Sequence, residues 1–63
     1  MVEYRIFRVN AAGMIDSGQR LRLIDDGAAI AHARGMNEQR LVEVWSGNRR
    51  VGVVPPTRFV QSA

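Results

Sequence analysis

Residues 20–35, RLRLIDDGAAIAHARG, contain the change of pattern that decides the fold. The first four residues alternate arginine with leucine, which is the period of a strand that has one buried and one solvated face. The following stretch is rich in alanine and places Ala29, Ile30, Ala33 and Met36 on one stripe at helical spacing. The sequence therefore predicts a strand that leads directly into a helix packed on a sheet.

The ends of this helix are marked by residues suited to capping. Asp25 can accept hydrogen bonds from the free backbone N–H groups at the start, and Asp26 lies favourably at the positive end of the helix dipole. Gly35 suits the left-handed conformation that closes many helices. His32 lies on the opposite side of the helix from Ile30, so we expect it to face solvent.

The N-terminal part of the chain predicts a β-hairpin. Residues 3–9 are rich in aromatic and β-branched types, residues 10–13 supply turn chemistry, and residues 14–24 form the second strand. The first strand is apolar on both faces, which is typical of a central strand. We expect a bulge or an early loop at Ser17 and Gly18, because a glycine interrupts the alternation of the second strand.

A second hairpin follows the helix. Residues 40–45 and 49–54 read as strands joined through Ser46-Gly47-Asn48, and Pro55-Pro56 ends the sheet because proline has no N–H to donate. The predicted fold is α+β with the order β-β-α-β-β. It is a four-stranded antiparallel sheet, in the order 2-1-3-4, with one helix on one face. Residues 1–56 form the single domain and residues 57–63 a C-terminal tail.

One helix covers only one face of a four-stranded sheet, because a helix is about 10 Å wide and four strands span nearly twice that width. On the covered face, we expect Val42 and Val44 to pair with Val51 and Val53. The residues expected on the other face are Arg5, Phe7, Val9, Arg20, Arg22, Leu41, Glu43, Trp45, Arg50 and Val54. The candidate interface residues among them are Phe7, Arg20, Arg22, Leu41, Trp45, Arg50 and Val54.

Composition excludes several kinds of site. The chain of 63 residues has no cysteine and one histidine, so a disulfide, a thiolate zinc site and a His-rich metal site are excluded. Phosphate-loop and nucleophile-elbow sequences are missing. We expect a protein that is not an enzyme and has no cofactor and no metal. The lack of a signal-peptide segment or a run of about 20 apolar residues predicts a cytoplasmic protein without a membrane span.

The charge is modest. All nine basic residues are arginine and the formal net charge is +3. A GC-rich genome explains the arginine content without a functional role, and recognition of phosphate or carboxylate by guanidinium groups is the functional alternative.

The stretch Val42-Glu43-Val44-Trp45-x-Gly47-x-Arg49-Arg50-Val51, the Tyr4-Arg5-Ile6 start and the Asp25-Asp26 pair before an alanine-rich helix resemble a group of short hypothetical proteins from alphaproteobacteria. The resemblance covers roughly residues 4–54. It implies the same small α+β fold and a bacterial source. No catalytic or binding residues carry over from it.

Three interpretations compete for the uncovered face. The first is a protein–protein interface, most simply that of a homodimer, which would also supplement the marginal core of so short a chain. In the second, the face binds single-stranded nucleic acid through aromatic and arginine side chains. In the third, the protein is a monomer whose tail folds back over the face through Phe59 and Val60. The first interpretation predicts that the protein is a small interaction or regulatory module.

Overall fold

The computed structural model describes residues 1–37 and 39–57. They form four strands and one helix, namely β1 (Val2–Val9), β2 (Ile15–Leu23), α1 (Asp26–Arg34), β3 (Leu41–Ser46) and β4 (Arg49–Val54). All neighbouring strands are antiparallel, and their order is β2-β1-β3-β4. The predicted α+β fold, element order and strand order are confirmed.

Both hairpin turns use the residues that sequence reasoning singles out. In the first, Oδ1 of Asn10 accepts hydrogen bonds from the backbone N–H groups of Ala12 and Met14, at 3.0 and 3.1 Å, and Gly13 has a φ of 81°. The second hairpin has a two-residue loop that begins with Gly47, whose φ is 61°. A glycine with positive φ is what such short hairpin loops require.

The helix begins as expected but ends differently. The backbone N–H of Ala28 donates to Oδ1 of Asp25 at 2.8 Å, which confirms the N-cap. Gly35 occupies the C-cap with a φ of −78°, so the prediction of a left-handed cap is wrong. Its N–H instead donates to the carbonyl of His32, at 3.1 Å, and the chain leaves the helix through right-handed backbone.

The hydrophobic core lies between α1 and one face of the sheet. The predicted helix stripe is confirmed, because Ala29 and Ala33 are fully buried while Ile30 and Met36 pack at its margin. Small alanines allow the helix to approach the sheet closely. The sheet contributes Tyr4, Ile6, Val42, Val44 and Val54, with Leu21, Leu23 and Val51 partly buried beside them.

A β-bulge interrupts the β1–β2 ladder near the first turn. Ser17 pairs with Arg8 but Ile15 pairs with Val9, so Asp16 is the extra residue. The irregularity predicted for this strand is present, one residue before the expected Ser17-Gly18. Gly18 itself stays in the ladder.

A second bulge changes which face the end of β4 presents. Arg50 pairs with Trp45 and Gly52 pairs with Val44, so Val51 is the extra residue. An extra residue reverses the inward and outward alternation of every later position in the strand. Val54 is therefore 7% exposed in the core, and Val53 is 40% exposed on the opposite face. The predicted core position of Val53 and the predicted outward position of Val54 are both wrong.

A hydrogen-bond network fixes the start of the helix to the sheet. The buried Tyr4 hydroxyl donates to Oδ1 of Asp26 at 2.7 Å, and the Arg49 guanidinium donates to both oxygens of that carboxylate at 3.2 Å. The bonds from Arg49 and then from Tyr4 lower the pKa of Asp26. Burial, followed by the bond to Asp26, raises the pKa of Tyr4.

The chain after β4 returns to the segment that follows the helix. The buried Asn37 side-chain amide donates to the carbonyl of Pro55 at 2.7 Å, and the N–H of Thr57 donates to the carbonyl of Asn37 at 2.9 Å. The predicted end of the sheet before Pro55-Pro56 is confirmed. The predicted packing of Phe59 and Val60 lies outside the described residues.

Candidate functional site: the open sheet face

The face of the sheet opposite α1, called the open face below, is the largest feature that the fold leaves without a covering element in the described part of the chain. Residues that pair across antiparallel strands project to the same face, so the strand register assigns its members. They are Glu3, Arg5, Phe7 and Val9 from β1, Ile15, Gly18, Arg20 and Arg22 from β2, Leu41, Glu43 and Trp45 from β3, and Arg50 and Val53 from β4.

One row of the open face crosses all four strands. Arg20 pairs with Arg5, Arg5 pairs with Trp45, and Trp45 pairs with Arg50. Three arginines thus flank a single tryptophan along a line perpendicular to the strands.

The adjacent row is mainly apolar. It contains Gly18, Phe7, Glu43 and Val53 in that order, and beyond it Val9 pairs with Leu41. The open face is therefore basic toward one end of the strands and apolar toward the other.

Trp45 is held in place by its neighbour on the same strand. Its indole Nε1–H donates to Oε1 of Glu43 at 3.0 Å. Both side chains are half-buried, so the indole lies over the sheet with its polar edge satisfied. This hydrogen bond engages the Glu43 carboxylate, which lies in the middle of the open face.

Arg5 links the two rows. Its Nη2 donates to the carbonyl of Gly47 at 2.6 Å, and its guanidinium carbon lies 5.9 Å from the centroid of the Phe7 ring. This distance is within the range of a cation–π interaction. Arg5 is therefore positioned by a turn carbonyl and an aromatic ring rather than by an acid.

The four arginines of the open face form no ion pair with any acid among residues 1–37 and 39–57, where the ion pairs are Arg40–Asp16 and Arg49–Asp26. The strand register places four arginines and two glutamates on the open face, so the net charge of the face is +2. Arg5 and Arg20 are direct cross-strand partners, an arrangement in which like charges repel. The face is thus complementary to an acidic ligand.

A shallow recess of about 370 Å³ opens on this face beside the β2 edge. It is lined by Arg5, Phe7, Gly18, Gln19 and Arg20. A β-carbon on Gly18 would lie 2.8 Å from Cδ1 of Phe7, so the ring occupies the space that a side chain at position 18 would fill. The ring of Phe7 and the side chains of both arginines contribute to its lining.

A second recess, of about 250 Å³, is lined by Arg8, Asp16, Met36, Gln39 and Arg40. Here Nε of Arg40 already donates to Oδ2 of Asp16 at 3.0 Å. Because its cation and its acid satisfy each other, this recess has less to offer an ionic ligand than the recess over Phe7.

The structure brings together all the predicted interface residues except one. Phe7, Arg20, Arg22, Leu41, Trp45 and Arg50 share the open face, and Val53 takes the position expected of Val54. Glu3 and Gly18 were missed because neither residue type marks an interface in a sequence. Ile15 was missed because the bulge at Asp16 reverses the side to which it projects. The strand register alone could have placed all three.

The remaining chemical groups are dispersed. His32 is exposed on the helix, as predicted. Within the described ranges, no three side chains of the metal-binding types His, Cys, Asp or Glu lie close enough to hold an ion. Residues 1–37 and 39–57 contain no helix of sufficient length and apolarity for a membrane span.

Comparisons of the chain with models of protein families, with curated proteins and with solved structures found no match.

Proposed function

We propose that this protein is a small non-enzymatic interaction module that acts through the open face, and that its first partner is a second copy of the same chain. The observation that carries the proposal is the contact surface formed by Phe7, Val9, Leu41, Trp45 and Val53 on the side of the sheet that α1 does not cover. Tryptophan, phenylalanine and arginine are the residue types that concentrate binding energy at interfaces.

Self-association fits the small size of the chain. A 63-residue domain buries only about 60% of its unfolded surface, so burying one more sheet face adds a substantial fraction of apolar contact. A two-fold axis brings each patch against its own copy. The acids of the face, Glu3 and Glu43, can then meet arginines of the second copy.

Sedimentation velocity at micromolar protein concentration tests this proposal. We expect a species of twice the chain mass, and Val53→Arg should shift it toward the monomer because it adds a cation to a contact between two faces that each carry a net charge of +2. Val53 is an exposed position, so the variant should remain folded. Ala31→Arg, a matched change at an exposed site on α1 and away from the open face, should leave the mass unchanged. A monomeric wild type would contradict self-association.

A second candidate function is the binding of single-stranded nucleic acid. The specific observation in its favour is the row of Arg20, Arg5, Trp45 and Arg50 that crosses the sheet. Phe7 and Trp45 are diagonal neighbours on the two central strands, a spacing of roughly 7–8 Å between backbones. Two aromatic rings at that spacing can each stack one base while the arginines contact phosphates.

Titration of the intrinsic Trp45 fluorescence with a single-stranded oligonucleotide tests the second function. The chain has one tryptophan, so any quenching reports on the open face. If all four arginines neutralise phosphates, the logarithm of affinity should fall with the logarithm of salt with a slope of about −3. Unchanged fluorescence at low salt would remove this candidate, and equal affinity for duplex DNA would remove the stacking part of it.

A further inference from the structure

We propose that the recess over Phe7 binds a phosphate group attached to a flat ring, which is the chemistry of a nucleotide, either free or as one unit of a single strand. The inference goes beyond the proposed self-association, because the ligand contacts Arg5, Phe7, Gly18 and Arg20 at the β2 side of the open face. Phe7 also belongs to the proposed contact between copies, so a nucleotide and a second copy compete for this side of the face. The inference commits to one ligand chemistry and to named contacts.

The two arginines indicate that one half of the ligand is an anion. Arg5 and Arg20 stand directly opposite each other, and neither is ion-paired with an acid in the described ranges. Arg5 uses an Nη2–H for the carbonyl of Gly47, which leaves other N–H groups of its planar fork to donate. Two guanidinium groups facing one site match the oxygens of a phosphate, and an anion between them relieves their repulsion.

The ring of Phe7 indicates that the other half of the ligand is a planar group. The absence of a side chain at Gly18 lets the ring settle against β2, where a β-carbon would come within 2.8 Å of it. The Arg5 guanidinium carbon lies 5.9 Å from the ring centroid, and the ring lines the recess and remains partly accessible. A planar group can stack on the accessible part of the ring beside this guanidinium.

The volume and composition of the recess fit the same ligand. At about 370 Å³, it reaches the lower part of the range for small-molecule sites. The lining of the recess combines one aromatic ring with two cationic side chains and contains no carboxylate. A nucleotide unit supplies both a ring to stack on Phe7 and an anion for the two arginines, which an isolated inorganic anion does not.

Two-dimensional ¹H–¹⁵N NMR titration of the folded protein tests the site with four probes, namely inorganic phosphate, adenosine, adenosine monophosphate and a single-stranded oligonucleotide. We expect adenosine monophosphate to shift the amide resonances of residues 5–7 and 18–20. Phosphate alone and adenosine alone should each bind at least about tenfold more weakly, because each lacks one of the two contacts. Binding of phosphate as tight as that of the nucleotide would overturn the proposal.

Matched variants separate the recess from general basicity. Arg20→Gln should weaken binding of adenosine monophosphate by roughly tenfold, the value of one lost charge-assisted contact. Arg34→Gln removes the same charge from the exposed helix surface and should leave the affinity unchanged. Phe7→Leu should abolish the preference for the nucleotide over phosphate. Equal weakening by Arg20→Gln and Arg34→Gln would overturn the site as nonspecific attraction.

The source of the ligand follows from the same titrations. An oligonucleotide that binds at least about tenfold tighter than the mononucleotide, with shifts at the same amides, assigns the site to a strand, and equal affinity assigns it to a free nucleotide. Sedimentation of samples with and without nucleotide keeps the two proposals separate. An absence of amide shifts at a concentration where the chain is monomeric would overturn the nucleotide site alone, and a strict monomer without nucleotide at micromolar concentration would overturn self-association alone.

Discussion

The phenyl ring of Phe7 on β1 lies over the backbone of Gly18 on β2, in the volume that a side chain at position 18 would need. A glycine in a strand interior ordinarily weakens the sheet, since it contributes no packing and orders at a high entropic cost. Here the neighbouring ring covers that position. The pair thus offsets the local cost of glycine and at the same time sets the orientation of an aromatic ring on the open face.

Gly18→Ala is expected to destabilise the fold by about 1–3 kcal/mol, because the new methyl group would lie 2.8 Å from Cδ1 of Phe7 and displace the ring. Gly27→Ala in the first turn of the helix is the matched control. Its β-carbon would meet nothing closer than 3.5 Å, so we expect stabilisation by about 0.5–1 kcal/mol. Urea unfolding of the two variants measures both values, and a neutral Gly18→Ala would contradict the packing described.

Gly52 provides a similar test on the helix side. A β-carbon there would come within 2.9 Å of Cδ1 of Ile30, the mobile end of a side chain, so Gly52→Ala should cost only about 1 kcal/mol. Ile30→Val removes that methyl group. In a double-mutant cycle, the cost of Gly52→Ala should therefore be smaller in the Ile30→Val background. Strict additivity would show that the two groups do not compete for space.

The two valines at the end of β4 should respond oppositely to truncation. Val54→Ala is expected to cost about 2 kcal/mol, since it leaves a cavity in the core. Val53→Ala should change the free energy of unfolding by no more than about 0.5 kcal/mol, because the side chain is exposed and lies outside the core. Denaturant unfolding at a concentration where the protein is monomeric makes the comparison. The reverse order of costs would contradict the bulge.

The network of Tyr4, Asp26 and Arg49 predicts how stability depends on acid. The folded pKa of Asp26 lies below its ordinary value, so the ionised carboxylate stabilises the fold at pH values above the unfolded pKa of about 3.9. That contribution is lost as the pH falls through the folded pKa. Asp26→Asn should therefore flatten the decline of unfolding free energy between neutral and acidic pH. An unchanged decline would show that other carboxylates cause the loss of stability in acid.

The same network acts in the opposite direction at high pH. The folded pKa of Tyr4 is raised, chiefly by burial, so the protonated phenol is favoured in the folded protein. Its contribution is complete below the unfolded pKa of about 10 and is lost as the pH rises through the folded value. Tyr4→Phe should remove this alkaline loss of stability. Absorbance at the phenolate wavelength during alkaline titration locates the transition.

Local patterns were sufficient for most of the architecture. The alternation from Arg20 to Leu23 predicted the faces of β2 correctly, because no extra residue interrupts it there. Asp25 predicted the start of the helix correctly, because its side chain accepts a hydrogen bond from a backbone N–H of the first turn. The double apolar character of β1 correctly placed that strand in the middle. These features depend on neighbours within a few residues.

The misassigned features depend on distant contacts. The bulge in β4 was not predicted, and it brings Gly52 beside Cδ1 of Ile30, where a β-carbon would come within 2.9 Å. The buried role of Asn37 depends on the Pro55 carbonyl, 18 positions away in the sequence. The recess over Phe7 likewise requires the register of β1 with β2, which neither strand shows alone.

The bulge in β4 makes the length of this strand more consequential than its composition. Regular pairing of the same residues after Arg50 would turn Val53 toward the helix and Val54 toward the surface, so the extra residue Val51 keeps the two valines on their present faces. Loss of Val51 together with the bulge would leave Gly52, Val53 and Val54 opposite their present partners. Among related chains, loss of one residue between Arg50 and Gly52 should therefore preserve the open face, whereas regular pairing at full length would exchange the roles of two residues of identical chemistry.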